Sequence, residues 1–242
     1  TVKKFNRSHI LDYYKSNYLP NNMIISVAGN ASDAREKIEK YFGKLKPGKV
    51  IRRPEFHEPV QAKARKDTEK KKTFNSYMVF GYKVVSRTHK DSYVFDVISA
   101  VLGRGQSGWM FDEIRNKRGL AYQVGVNNEH ESDYGMFAVY TNLDKKKIGK
   151  AKEIILQQFR RLEKISKKDL EEAKTYIEGN NALQMEDNFH RADNLAVWET
   201  IKDAGLADSY LKNINKVTAG DVRRIAKKYL NNNYTMVVIE QK

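Results

Sequence analysis

Apolar positions along this chain switch between a helical period and the alternation of strands, and the switches mark out its elements. Residues 7–27 carry Ile10, Leu11, Tyr14 and Tyr18 at helical spacing, then Leu19-Pro20-Asn21-Asn22, then an apolar strand Met23-Ile24-Ile25-Ser26-Val27. Residues 218–238 repeat that order with Val222, Ile225, Ala226 and Tyr229, then Leu230-Asn231-Asn232-Asn233 and the strand Tyr234-Thr235-Met236-Val237-Val238. The two stretches align without a gap from Tyr18-Leu19 to Val27 and from Tyr229-Leu230 to Val238, so one kind of domain ending occurs twice. Residues 1–22 therefore read as the tail helix and linker of a preceding homologous domain, and 23–242 as the domain that follows. The opening Thr1 hints at a fragment.

Between the repeats, residues 31–45 place Ala34, Ile38, Tyr41 and Phe42 on one helical side, and Lys46-Pro47-Gly48 stops them. Residues 74–85 are rich in aromatic and β-branched side chains and predict a buried strand. A helix over 91–102 follows, then a hairpin of strands 121–127 and 134–141. Ile148, Ala151, Ile155, Phe159 and Leu162 form the stripe of another helix, and Ser166 with Asp169 caps a long one through Ala182. Helical periodicity resumes with Phe189 and Trp198 and ends near Gly205. Strands mixed with many helices, including an antiparallel hairpin, predict an α+β layer structure.

Composition narrows the choices. No apolar stretch approaches the roughly 18 residues of a membrane span, and no secretory signal opens the chain. A cytoplasmic location is the expectation. The absence of cysteine excludes disulfides, thiolate catalysis and cysteine-bound zinc. A formal net charge of +15 permits binding to nucleic acid. The bases, however, fall in short clusters at Arg52-Arg53, Lys63 to Lys72, Lys145 to Lys147, Lys167-Lys168 and Arg223 to Lys228, which read mostly as solvated helix faces. A dedicated nucleic-acid stripe is not expected.

Gly103-Arg104-Gly105-Gln106-Ser107-Gly108 fits the dinucleotide pattern in letters but follows a helix where the pattern needs a strand. It reads instead as a helix-to-helix loop in which Gly103, Gly105 and Gly108 admit close backbone approach. Of the five histidines none stand at i and i+4; Glu186 with His190, and Glu129-His130-Glu131, each offer a single imidazole and read as polar residues facing solvent. No metal site is assigned to this chain. No nucleophile elbow of the Gly-x-Ser-x-Gly type occurs. What the chain does offer is donors: Arg115 and Tyr122 lie on either side of a helix stop at Gly119. They can converge on one acceptor, or Arg115 can pair with Asp112 or Glu113 while Tyr122 packs at a sheet end.

The stretch from Leu102-Gly103-Arg104-Gly105 through Phe111-Asp112-Glu113-Ile114-Arg115-Asn116-Lys117-Arg118-Gly119-Leu120-Ala121-Tyr122 resembles the C-terminal half of the pitrilysin/insulinase zinc peptidases, which include the mitochondrial processing peptidases. Tyr18-Leu19-Pro20-Asn21-Asn22-Met23 and Val217-Thr218-Ala219-Gly220-Asp221-Val222 are similar to the same family. The resemblance implies a LuxS/pitrilysin-like domain, a largely antiparallel sheet of about six strands backed by helices. It also implies a partner, an N-terminal zinc-bearing half in the same protein or a separate subunit, closing with this one on an unfolded peptide. Zinc is expected in that partner, no cofactor in this chain, and no activity from this chain alone. Arg115 and Tyr122 are then the substrate-binding, oxyanion-stabilising residues. The sequence departs from the family in reading Ser107-Gly108-Trp109-Met110 where many members have Ser-Ser-Arg-Leu. A non-catalytic assembly or peptide-binding protein on the same scaffold is the alternative, and a homo-oligomer is left open.

Overall fold

A computed structural model describes residues 2–49 and 59–242. Thr1, Arg52-Arg53 and His57 lie outside the described residues. Those described divide into two compact units, one of 2–49 with 184–207 and one of 59–183 with 208–242.

The first unit holds α1 (Arg7–Asn17), α2 (Ala34–Phe42) and, from later in the chain, α7 (Asn188–Ile201). Asn6 caps α1 by accepting from the His9 amide, and His9 reaches back to the Asn6 amide. Neither α1 nor α2 buries a residue. The strand expected over 23–27 does not form, and Ile24, Ile25 and Val27 are 44–47 % exposed. The physical reason is pairing: apolar extended chain becomes a strand only when a neighbour takes up its amides and carbonyls, and no described residue pairs with it. Its sequence counterpart near the C-terminus has neighbours on both sides.

In the second unit, five strands form one sheet in the order β1 (Arg65–Lys71), β5 (Thr235–Gln241), β2 (Ser76–Val84), β4 (Gly135–Leu143), β3 (Ala121–His130). The expected six is thus five among the described residues. β1 runs parallel to β5, and every other pairing is antiparallel. β1 reads Arg-Lys-Asp-Thr-Glu-Lys-Lys and is exposed throughout, so the basic cluster expected to lie on a helix is an edge strand. Its lack of apolar alternation hid it, and its charges discourage edge-to-edge pairing with another sheet.

Helices α3 (Ser92–Gly103), α5 (Ile148–Arg161), α6 (Lys167–Gln184), α8 (Leu206–Lys216) and α9 (Ala219–Tyr229) complete the second unit's outline. Met78, Phe80 and Tyr82 of β2 and Phe137 and Val139 of β4 share a buried core with Phe95 and Ile98 of α3, Ile155 and Phe159 of α5, and Val222 and Ile225 of α9. The intervening β2 and β4 residues Tyr77, Val79, Met136 and Tyr140 are exposed, as a two-residue strand period with one packed face requires. The Ser166–Asp169 cap forms, the Asp169 amide donating to Ser166 Oγ at 3.1 Å. Helix α8 was not foreseen, although Leu206, Tyr210, Leu211 and Ile214 stand at helical spacing and Ile214 is buried.

At the far end of the β3–β4 hairpin, Arg87 forms a bidentate pair with Asp96 at 3.1 and 2.6 Å, and Asn128 Nδ2 donates to Asp96 at 2.8 Å. His130 lies beside this pair, its Nδ1 bonded to the Val85 carbonyl at 2.6 Å and its Nε2 buried without a partner among the described residues. Burial lowers the His130 pKa from its ordinary 6.5, outweighing the bond to Val85 and the attraction of Asp96, while Arg87 lowers it further. The unfolded chain therefore binds this proton more readily than the folded one, so the His130 contribution is complete above about pH 6.5 and erodes as pH falls towards the lowered value. Urea-denaturation midpoints measured from neutral to mildly acidic pH should show that loss, and His130→Gln should flatten it.

Candidate functional site

The residues that matter are set by how the helix after α3 ends. The Gly103–Gly108 loop turns the chain tightly enough that a Cβ on Gly108 would lie 2.7 Å from the Leu102 carbonyl oxygen, and one on Gly103 2.8 Å from Val126 Cβ on β3. Gly105 sits in this turn with a φ of +50°. Beyond it a short α4 (Trp109–Phe111) widens into a π-turn over Asp112–Asn116. Such widened turns are rare and place a side chain out of ordinary helical register. Arg115 lies within this turn. Met110 and Ile114 anchor the turn in the core at no more than 1 % exposure. Gly119, at φ +54°, ends it with its amide on the Arg115 carbonyl at 3.0 Å, followed by Leu120 on the Ile114 carbonyl at 2.9 Å. Lys147 Nζ donates to the Gly119 carbonyl at 2.9 Å and ties this end to the segment after β4.

Tyr122 follows at once, and its position comes from an irregularity in pairing. Ala121 pairs with Leu143 and Gln123 with Asn142, so Tyr122 is the extra residue of a β-bulge on the edge strand β3. Side chains hold the bulge shut: the Gln123 amide donates to Asn142 Oδ1 at 3.1 Å, and Thr141 Oγ1 donates to the Gln123 carbonyl at 2.7 Å. Tyr122 is left 78 % exposed.

The structure brings the two sequence-predicted donors together. The Arg115 guanidinium carbon stands 4.1 Å from the centre of the Tyr122 ring and 4.7 Å from that of Phe111. Both acids that Arg115 was free to pair with are taken by other bases. Lys117 Nζ lies 2.8 Å from Asp112 and 2.8 Å from Glu113, and Arg118 also binds Glu113. Burial pushes the Glu113 carboxyl up, but hydrogen bonds from Lys117 and Arg118 outweigh it and hold its pKa below the ordinary range. A hydrogen bond from Lys117 does the same for Asp112. Arg115 itself makes no ion pair among the described residues, and the Tyr122 hydroxyl has no hydrogen-bond partner there. The guanidinium thus lies over two aromatic faces, whose ring electrons attract its positive charge.

A groove of about 230 Å³ runs beside Tyr122, with Asn75, Asn142, Asp144 and Lys147 along it. A larger cavity of about 660 Å³ lies between the glycine-rich loop and α6, where Arg104 pairs with Glu172 at 2.5 Å. It contains neither Arg115 nor Tyr122. Among the described residues, no group of three or more His, Cys, Asp or Glu side chains fits a metal ion. His190 bonds Asp187 at 3.2 Å rather than Glu186. Sequence reading missed Phe111 as the second stacking face and Asn142 and Thr141 as the clamps on the bulge. Only the Glu113–Lys117 spacing carried a readable signal of the ion pairs that leave Arg115 free.

Comparison with known proteins bears on this arrangement. A family model described as the peptidase M16 inactive domain matches residues 4–177. An uncharacterized zinc protease, YmxG, of Bacillus subtilis is 29 % identical over 247 residues, which take in 99 % of this chain and 59 % of that protein. The mitochondrial-processing peptidase subunit alpha-2 of Dictyostelium discoideum is 24 % identical over 243 residues, 95 % of this chain and 53 % of that one. A protease of solved structure from Helicobacter pylori shares the fold with a TM-score of 0.90 at 24 % identity, covering 99 % of this chain and 60 % of its own. The chain thus spans a little over half the length of each of these relatives.

Proposed function

The chain belongs to the peptidase M16 inactive-domain family, and on that premise we propose that it is the substrate-binding, non-metallated half of a zinc metalloendopeptidase. Arg115 and Tyr122 bind the scissile peptide and stabilise the oxyanion that develops on its carbonyl. The observation that carries this reading is the stacking of Arg115 on Tyr122, 4.1 Å from guanidinium carbon to ring centre, with the two acids of the same turn, Asp112 and Glu113, already paired with Lys117 or Arg118. Donors fixed by packing before the reaction need no reorganisation when charge develops, and that is what makes them effective.

The residues described in this chain do not fit zinc, so the metal belongs in this reading to an N-terminal half, in the same protein or as a separate subunit. When bound there, zinc supplies the nucleophile and polarises the carbonyl. This chain contributes position and hydrogen bonds. The edge strand β3 lies beside the donors and offers main-chain pairing to an extended peptide. The apolar segment 23–27, which has no neighbouring strand among the described residues, supports the same reading: its counterpart, β5, pairs with β1 on one side and β2 on the other, and a homologous sheet in the partner would give 23–27 equivalent neighbours. Residues 1–22 are then the tail helix and linker of that preceding homologous domain, leading into the strand that would join its sheet.

Substitution of Arg115 tests the reading. In the peptidase reconstituted with its zinc-bearing half, Arg115→Ala should lower kcat/KM by about 10² or more. Arg115→Lys should fail to restore it, because a point-charge ammonium cannot reproduce a planar fork held between two rings. Steady-state kinetics on an unfolded peptide decide the matter, and wild-type rates in both variants would remove Arg115 from the site.

A further inference from the structure

On the face of the sheet opposite its packed core, one row of side chains runs across four strands towards the Arg115–Tyr122 pair. Val237 pairs with Val79, Val79 with Tyr140, and Tyr140 with Gly125 on the edge strand β3. The three side chains, two valines and a tyrosine, are 41–46 % exposed. The row ends at a residue without a side chain, where a Cβ would lie 2.3 Å from the ring and hydroxyl of Tyr140. The phenol therefore crosses the edge strand over Gly125. Gly125 is three positions along β3 from the bulged Tyr122, about 10 Å of extended chain. Farther along the same face, the Lys83–Met136–Glu129 row brings in charge of both signs.

We infer that Tyr140, backed by Val79, is a specificity-determining residue: an apolar shelf that takes a large apolar or aromatic side chain of a peptide lying along β3. The inference rests on the proposed function, since it is Tyr122 that places the scissile carbonyl beside this strand. The occupant follows from continuity and charge. A peptide paired with the edge strand turns alternate side chains onto this face, and the one that meets Tyr140 meets a neutral, half-exposed aromatic surface.

Two synthetic peptides, identical except for Phe or Asp at one position, provide the test, in anisotropy titrations of this chain and in competitive cleavage by the reconstituted peptidase. The unaltered chain should prefer the Phe peptide. Tyr140→Ser should reduce that preference by about tenfold or more, Tyr140→Phe should preserve it, and Gly125→Ala, which displaces the ring without removing it, should weaken it. A role in sheet stability alone would lower binding of both peptides equally. No initial preference, equal loss for both peptides, or an unchanged ratio in Tyr140→Ser overturns the inference. Failure here alongside a damaging Tyr122→Phe leaves the oxyanion role standing; a responsive Tyr140 alongside a harmless Tyr122→Phe discards that role and keeps the shelf.

Discussion

Tyr122→Phe should lower kcat of the reconstituted peptidase by about 10² to 10³, equivalent to roughly 2.7–4 kcal/mol of transition-state stabilisation, while leaving the fold intact. The substitution removes one oxygen from a side chain that is 78 % exposed and whose hydroxyl has no partner among the described residues, so folding loses no contact with it. The ring that stacks on the Arg115 guanidinium remains, so the second donor keeps its place. The loss should therefore appear in kcat and kcat/KM together, as expected for an interaction made in the transition state. A rise in KM with unchanged kcat would mean that the phenol only binds substrate. Circular dichroism and thermal melting matching the parent chain would confine the effect to chemistry.

Phe137→Ala should cost about 3–5 kcal/mol of stability, among the largest effects available to a single truncation in this core. Phe137 is fully buried on β4, with the rings of Phe95 and Phe159 at 5.8 and 6.3 Å. It lies opposite Asn128 on β3 and Tyr82 on β2, so the cavity opens between the sheet and α3 and α5. Because β4 also holds the clamp residues Thr141 and Asn142, loosening it should release the bulge that presents Tyr122. Its neighbour Met136, exposed on the other face, is the control, and Met136→Ala should change stability by less than about 0.5 kcal/mol. Urea denaturation of the two variants separates these outcomes, and similar midpoints would contradict the assignment of the faces.

Elements whose burial follows their periodicity were legible in the sequence: β2, the β3–β4 hairpin, α3, α5, the capped start of α6, and α9. Those formed by backbone pairing alone were not. β1 has seven exposed residues and no apolar alternation, and only its register with β5 makes it a strand. The segment 23–27 is the converse, strand-like in sequence but unpaired among the described residues. At the site, the spacing of Arg115 and Tyr122 around Gly119 left two arrangements open. What keeps Arg115 from pairing with Asp112 or Glu113 is the hold of Lys117 and Arg118 on those acids, of which only the i,i+4 Glu113–Lys117 spacing was readable; the π-turn and the bulge that bring Arg115 against the Tyr122 ring are not encoded in periodicity.

The most direct measurement is the rate of cleavage of an unfolded peptide by the zinc-bearing half alone, by this chain alone, and by the two together. The account predicts that neither half alone cleaves at a significant rate, that the mixture does, and that Arg115→Ala combined with Tyr122→Phe in this chain returns the mixture to the level of the separate halves. A zinc-bearing half that works equally well without this chain, or a mixture indifferent to the double substitution, would contradict it.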